Sequence, residues 1–274
     1  MIKQFINYLI TLKGYSQNTA AAYERDLHDF VQWAQKNLSD ARWSTITRAD
    51  IDQYIMSLVA DGLKPSTTNR RLASIAGIYR WFKREGKDIE NPCRFESRRK
   101  LSKTLPNTIP ADDIKLAYEH SQGVTKVMLG LLATTGIRLQ ELLDITWEDI
   151  NFAEQSIRIN GKGSKQRIVY TTADKLEILR ALSTMGTQTG LIFTIEQRTA
   201  RHMIWEALKP YSRAKQLSPH AIRHTVATNM ASQGANVTMI ATILGHNDIR
   251  TTQKYIDMTQ GNPRAAYTQF NLFN

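Results

Sequence analysis

Along the first ninety or so residues, apolar side chains recur every three or four positions and rarely alternate. That spacing gathers them on one face of a helix with 3.6 residues per turn. Thr19, Tyr23, Leu27, Phe30, Val31 and Ala34 make one such stripe, with Ser16 ahead of it as a capping hydroxyl. Asp50 to Leu58 forms a second helical segment, which Gly62 closes. A third has Leu72, Ile75, Ile78, Tyr79 and Phe82 as its buried face and Ser66 as its expected cap. This half is predicted to be all helical.

The rhythm changes further on. Val127 to Leu132 and Leu139 to Leu143 keep the helical spacing on either side of a turn at Thr134-Thr135-Gly136. Ser156 to Asn160 and Gln166 to Tyr170 instead read as short strands, joined by Gly161-Lys162-Gly163-Ser164-Lys165. The pattern predicts a β-hairpin with a glycine-bearing, doubly basic loop. Helical spacing resumes at Asp174, breaks from Gly186 to Phe193, and ends in short helices capped at Ser218, Asn236 and Asp248. No internal repeat is visible.

Charge divides the chain more sharply than hydropathy does. Arg94, Arg98, Arg99, Lys100 and Lys103 crowd a stretch with the single acid Glu96, bracketed by Pro92 and Pro106. Few large apolar residues interrupt it, so 93–108 is expected to be a basic linker between domains at 1–92 and 109–274. The formal net charge of +11 over 274 residues points to a polyanionic partner. No apolar run approaches the roughly 20 residues needed to cross a bilayer. The N-terminus lacks the features of a secretory signal, and a single cysteine, Cys93, rules out an internal disulfide framework. The cytoplasm is the expected compartment.

Candidate chemistry lies in four places. In Ser218-Pro219-His220-Ala221-Ile222-Arg223-His224, positions i, i+3 and i+4 put His220, Arg223 and His224 on one helix face. Three cationic or proton-bearing groups together are poor core material unless partnered, and a phosphate would serve. Zinc is the competing ligand for two histidines four apart, but Arg223 between them would repel the ion, and the glutamate of a zinc protease is absent. Thr135-Gly136-Ile137-Arg138-Leu139-Gln140-Glu141 sets Arg138 at a helix start with Glu141 placed to hold its guanidinium. The doubly basic hairpin loop is the third place. Leu244-Gly245-His246 followed by Thr251-Thr252-Gln253-Lys254-Tyr255 completes the set.

Taken in order, these segments resemble the tyrosine recombinase, or phage integrase, family, and most of all its compact Xer-type members. The resemblance spans nearly the whole chain. It implies a mainly α fold with a small antiparallel β-sheet: an N-terminal helical, SAM-like core-binding domain and a C-terminal α+β catalytic domain forming a C-shaped DNA clamp. It implies catalytic roles for Arg138, Lys162, His220, Arg223, His246 and Tyr255, with Glu141 and His224 in support. Tyr255 would be the nucleophile, His220 the general base and Lys162 the general acid, with no cofactor and no metal. The product would be a 3′-phosphotyrosyl ester, resolved through a Holliday junction by a tetramer on two double-stranded DNA sites, either of identical chains or shared with a paralogue. The apolar tail from Gly261 to Asn274 would dock on a neighbouring protomer. Lys64, Arg70, Arg71, Arg98, Arg99, Lys100, Lys103 and Lys165 are expected DNA contacts. Two rivals stand beside this reading: a helical protein that only binds DNA, and a relaxing type IB topoisomerase with the same chemistry. A binding protein has no use for a nucleophile, and the short chain disfavours the topoisomerase.

Overall fold

The computed structural model describes residues 1–93, 106–161, 166–183, 189–245 and 251–254. The chain divides into two compact units, Met1–Lys103 and Thr104–Asn274. Each has its own apolar core.

The first unit is a helical bundle: α1 (Ile2–Thr11), α2 (Gln17–Asn37), α3 (Arg48–Ala60) and α4 (Pro65–Arg84). Ser16 caps α2 as expected, its hydroxyl accepting the Thr19 N–H at 3.3 Å. A reciprocal Thr47–Asp50 capping box starts α3 two residues earlier than the apolar pattern suggests. The expected cap at Ser66 is corrected: α4 begins at Pro65, with Lys64 in the cap position. Proline lacks an N–H and has its φ already fixed near the helical value, so it takes the first position and leaves Ser66 inside the helix. Leu72, Ile75, Ile78, Tyr79 and Phe82 are all buried. They meet aromatic rings from the rest of the bundle, as where Trp43 stands edge-on to Tyr79 at 5.6 Å.

The second unit surrounds α6 (Gly123–Thr135), whose Met128, Leu129, Leu131 and Leu132 are buried. A helix this apolar belongs inside a domain. Against it pack α5 (Ala111–His120), α8 (Ala173–Ser183), α9 (Gln197–Leu208) and α10 (Pro219–Ser232). The short α7 (Leu139–Leu143) follows α6, and α11 (Val237–Leu244) follows α10. Thr134 and Thr135 belong to the last turn of α6, and the chain turns only at Gly136, whose φ of 63° is left-handed. Ser218 and Asn236 cap α10 and α11 as their spacing predicts. Asp248 lies outside the described residues.

The two strands expected at Ser156–Asn160 (β2) and Gln166–Tyr170 (β3) pair antiparallel. A two-residue strand at Ile150–Asn151 (β1), too short to show alternation, extends the sheet to the order β1-β2-β3. In the β2–β3 register Ile157 faces Val169 and Ile159 faces Arg167. The inner face of β3 therefore carries Val169 and Arg167, while Ile168 and Tyr170 are 56% and 68% exposed. The fold is thus mainly helical with one small antiparallel sheet. Among the described residues no helix is long and apolar enough to cross a membrane.

Candidate active site

The C-terminal end of α11 gathers three arginines from three elements. Arg167 Nε on β3 donates to the Ile243 carbonyl at 2.9 Å. Arg223 Nη2 on α10 donates to the Leu244 carbonyl at 2.6 Å, and Arg138 Nη2, at the start of α7, to that of Gly245 at 3.1 Å. The last carbonyls of a helix have no partner within it and form the negative end of its dipole. Cations satisfy them twice over, by hydrogen bond and by charge.

Two glycines make room for this arrangement. Gly245 ends α11 at a φ of 65°, and a Cβ there would stand 2.8 Å from Arg167 Nη1. Gly136 also has a left-handed φ, and a Cβ on it would meet Leu244 Cδ2 at 2.8 Å. Its carbonyl accepts from Arg223 Nη1 at 2.8 Å. Arg223 is only 2% exposed, so two of its donors act inside the protein, locking the Gly136 turn to the end of α11.

Glu141 is the acid of the cluster. It takes the Arg138 backbone N–H at 2.9 Å and its Nη1 at 2.7 Å, so the same residue caps α7 and orients the arginine. Arg167 grips both its oxygens, at 3.1 and 2.7 Å. Burial alone would raise this carboxyl, but the Arg167 and Arg138 hydrogen bonds outweigh it and hold Glu141 at about 2.

The His220 ring opens onto the cavity described below, and the His224 ring meets it edge-on at 4.4 Å. Partial desolvation lowers the His220 pKa, and the charges of Arg223, Lys254 and Arg138 lower it further. The ring is therefore neutral and able to accept a proton near pH 7. Burial, then Arg223, likewise push the Lys254 ammonium down.

Arg138, His220 and Arg223 line one cavity of about 710 Å³. The sequence-predicted pair of guanidiniums and the imidazole are thus brought together, with Glu141 and His224 directly behind them. Arg201, His202 and Trp205 of α9 line the same cavity and were not singled out from the sequence, although Arg201 and Trp205 share a helix face by their spacing of four. Arg167 was also missed. Lys162, Lys165, His246, Tyr255, the tail from Gly261 and the linker residues Arg98, Arg99, Lys100 and Lys103 lie outside the described residues. In the first unit Lys64 is exposed, whereas Arg70 and Arg71 bind aspartates of α2: Arg70 to Asp26 at 2.5 Å, Arg71 to Asp29 at 2.8 Å. Among the described residues no three His, Cys, Asp or Glu side chains are grouped to hold a metal.

Fold and site together define a two-unit, mainly helical protein with an arginine- and histidine-lined cavity in its second unit. The phage integrase family model matches residues 107–261, and the phage integrase N-terminal SAM-like domain matches residues 2–86. The chain belongs to the phage integrase family, and its activity is site-specific recombination by the tyrosine mechanism. Among curated relatives, tyrosine recombinase XerD of Listeria monocytogenes is 30% identical over 293 residues, covering 99% of this chain and 98% of the relative. Tyrosine recombinase XerC of Listeria welshimeri is 27% identical over 286 residues, covering 97% and 95%. Of solved structures, XerH site-specific recombinase bound to palindromic difH substrate superimposes with a TM-score of 0.79 at 15% identity, covering all of this chain and 85% of that one. A lambda integrase dimer bound to a COC′ core site gives 0.72 at 19%, covering 95% of each. These two likenesses establish the fold.

Proposed function

We propose that the cavity lined by Arg138, His220 and Arg223 holds the scissile phosphate of a double-stranded DNA site, and that Tyr255 attacks it. The observation that carries this reading is the convergence of both guanidiniums and the imidazole on one cavity, from segments more than eighty residues apart. Lys254, the residue before Tyr255, is within electrostatic reach of Arg223 and His220, which supports an approach of the nucleophile to the same place.

In-line displacement adds charge to the non-bridging phosphate oxygens. Planar guanidinium donors oriented beforehand stabilise that charge without reorganising. His246 adds a further donor. Tyrosine has an ordinary pKa near 10, so its hydroxyl must lose a proton as it attacks, and His220, held neutral, accepts it. The tyrosyl oxygen bonds to phosphorus, the bond from phosphorus to the 5′ oxygen breaks, and Lys162 protonates the departing oxygen. The 3′-phosphotyrosyl ester keeps the bond energy, so the 5′-hydroxyl of a second strand attacks it and restores the tyrosine. Two rounds separated by a Holliday junction exchange all four strands.

Four protomers, identical or shared with a paralogue, assemble on two sites, with the tail from Gly261 to Asn274 docking on a neighbour. Lys64, Arg70, Arg71, Lys165 and the cations of the 93–108 linker hold the flanking backbone, and the protein works in the cytoplasm. The test uses duplexes that the wild-type chain selects from a randomised library, rebuilt as suicide substrates nicked beside the cleavage point. Wild type should form an SDS-resistant adduct, and Tyr255→Phe should form none while binding DNA within about threefold. An adduct with the phenylalanine variant, or none with wild type, refutes the assignment.

A further inference from the structure

We propose that Arg167 is a positioning residue for the recombination step, tying Arg138, Glu141 and the end of α11 into one rigid unit. The inference rests on the reading above, in which Arg138 meets the phosphate. Arg167 belongs to none of the segments that carry the family resemblance, yet its side chain bonds to Glu141 in one of them and to the Ile243 carbonyl immediately before another. Its fork grips both oxygens of Glu141, whose Oε1 also receives Arg138, and its Nε holds the Ile243 carbonyl. The turn that follows, through Gly245, accepts Arg138 and leads in sequence to His246.

Packing shows that this contact is close. The Arg167 side chain is 12% exposed. It also sets the local chemistry of residue 245, because any Cβ there would overlap its guanidinium at 2.8 to 3.1 Å. A lysine could keep the charge but could not span a carboxylate and a carbonyl with a planar fork. Arg167 lies at the start of β3, a few residues after Lys162 in sequence, so one residue links the strand that follows the proposed acid to the Arg138–Glu141 pair and to the helix end before His246. A displacement of about 1 Å at a reacting group can cost on the order of a hundredfold in rate, which is how a residue that never touches the DNA would govern cleavage.

The test compares full-length Arg167→Ala, Arg167→Lys, Gly245→Ala and the double variant Arg167→Ala/Gly245→Ala with wild type. Single-turnover cleavage of the selected suicide duplex is followed at saturating protein across pH 5 to 9, with thermal unfolding and DNA affinity measured alongside. Both Arg167 variants should bind DNA within about threefold yet cleave on the order of a hundredfold more slowly. Their rates should also begin to fall at a higher pH than that of wild type, whose own decline follows protonation of His220, because Glu141, still buried but without its main partner, takes up a proton more readily. A purely structural arginine would not displace the acid limb. Gly245→Ala should slow cleavage similarly on its own, since both the left-handed φ and the guanidinium oppose a Cβ there, and in Arg167→Ala it should keep only the backbone part of that cost. Should Arg167→Ala fail to fold, Arg167→Lys and Gly245→Ala decide. Cleavage by Arg167→Lys within threefold of wild type, or fully multiplicative losses in the double variant, overturns the proposal. Failure of wild type itself to form an adduct would instead refute the functional reading, and this inference with it.

Discussion

Arginine is handled differently where α4 packs on α2 in the first unit and around the cavity of the second. In the first, Arg70 and Arg71 each meet an aspartate of α2, with Ser74 also donating to Asp26 at 2.8 Å and the Tyr54 hydroxyl 3.1 Å from Arg71. Charge is matched one to one, and the pairs fasten α4 to α2. In the second unit a single carboxylate, Glu141, serves both Arg138 and Arg167, while Arg223 is held by two carbonyl oxygens, which carry dipoles and no net charge. The same side chain is neutralised where it builds a bundle. Around the cavity it is oriented by one shared carboxylate and by backbone carbonyls. Cations fixed in this way would meet an anion without first having to reorganise.

The largest expected effect follows from removing a guanidinium that lines the cavity and is oriented before any ligand binds. Arg223→Ala should reduce suicide-substrate cleavage by about a thousandfold or more, and Arg223→Lys should recover little because it cannot reach both carbonyls. Replacing the matched Arg70 by glutamine should leave single-turnover cleavage at saturating DNA within a few-fold of wild type. If both substitutions cost the same in cleavage, the contrast between the units is false.

The next effect is in stability and has a defined pH window. Glu141 is held at about 2 against an ordinary value of 4.5. A carboxyl depressed in the folded state contributes stability above its unfolded pKa and loses it as pH falls through the folded one. The shift corresponds to roughly 3 kcal/mol. Glu141→Gln should therefore unfold at a lower temperature than wild type from pH 8 down to about 5, with the gap closing between pH 4.5 and 2. A gap that persists unchanged at pH 2.5 would mean that packing, not the two arginines, accounts for the difference.

A smaller loss is expected on the other side of the comparison. Asp26 is buried and receives both Arg70 and Ser74. Asp26→Asn should cost about 1–3 kcal/mol in chemical denaturation, as for other charged hydrogen bonds, and should leave the cleavage step at saturating DNA alone. A cleavage defect that saturating DNA does not relieve would show that the bundle takes part in the chemistry.

The same contrast explains what the sequence exposed and what it hid. Local chemistry was legible: Ser16, Ser218 and Asn236 as caps, the helix stripes, and both hairpin strands end to end. So was the grouping of His220, Arg223 and His224, because it follows from helical spacing alone. Long-range partners were not. Arg70 and Arg71 resemble a solvated or groove-facing pair until α2 supplies its aspartates across the bundle. Arg167 sits among Ile168, Val169 and Tyr170, where hydropathy alone would turn the isoleucine and tyrosine inward. Only the register against Ile157 and Ile159 shows the arginine pointing in, and register is a tertiary property. The family resemblance marks the positions of Arg138 and His246 but gives no hint of the helix end on which Arg138, Arg167 and Arg223 converge.

The smallest effect tests the comparison at the DNA surface. Each cation that meets a phosphate releases counterions, so the slope of log affinity against log salt falls by about 0.9 for each one lost. Lys64 is exposed at the start of α4, whereas Arg71 is already engaged by Asp29 and Tyr54. Lys64→Gln should flatten the salt slope by close to that full amount. Arg71→Gln should flatten it by less, since part of its charge is compensated in the free protein and its side chain would have to leave those partners to reach DNA. Titrations between 50 and 200 mM salt separate the two. Equal slopes for the variants would mean that Arg71 releases Asp29 on binding, and that matched pairs in the first unit are held in reserve for the duplex.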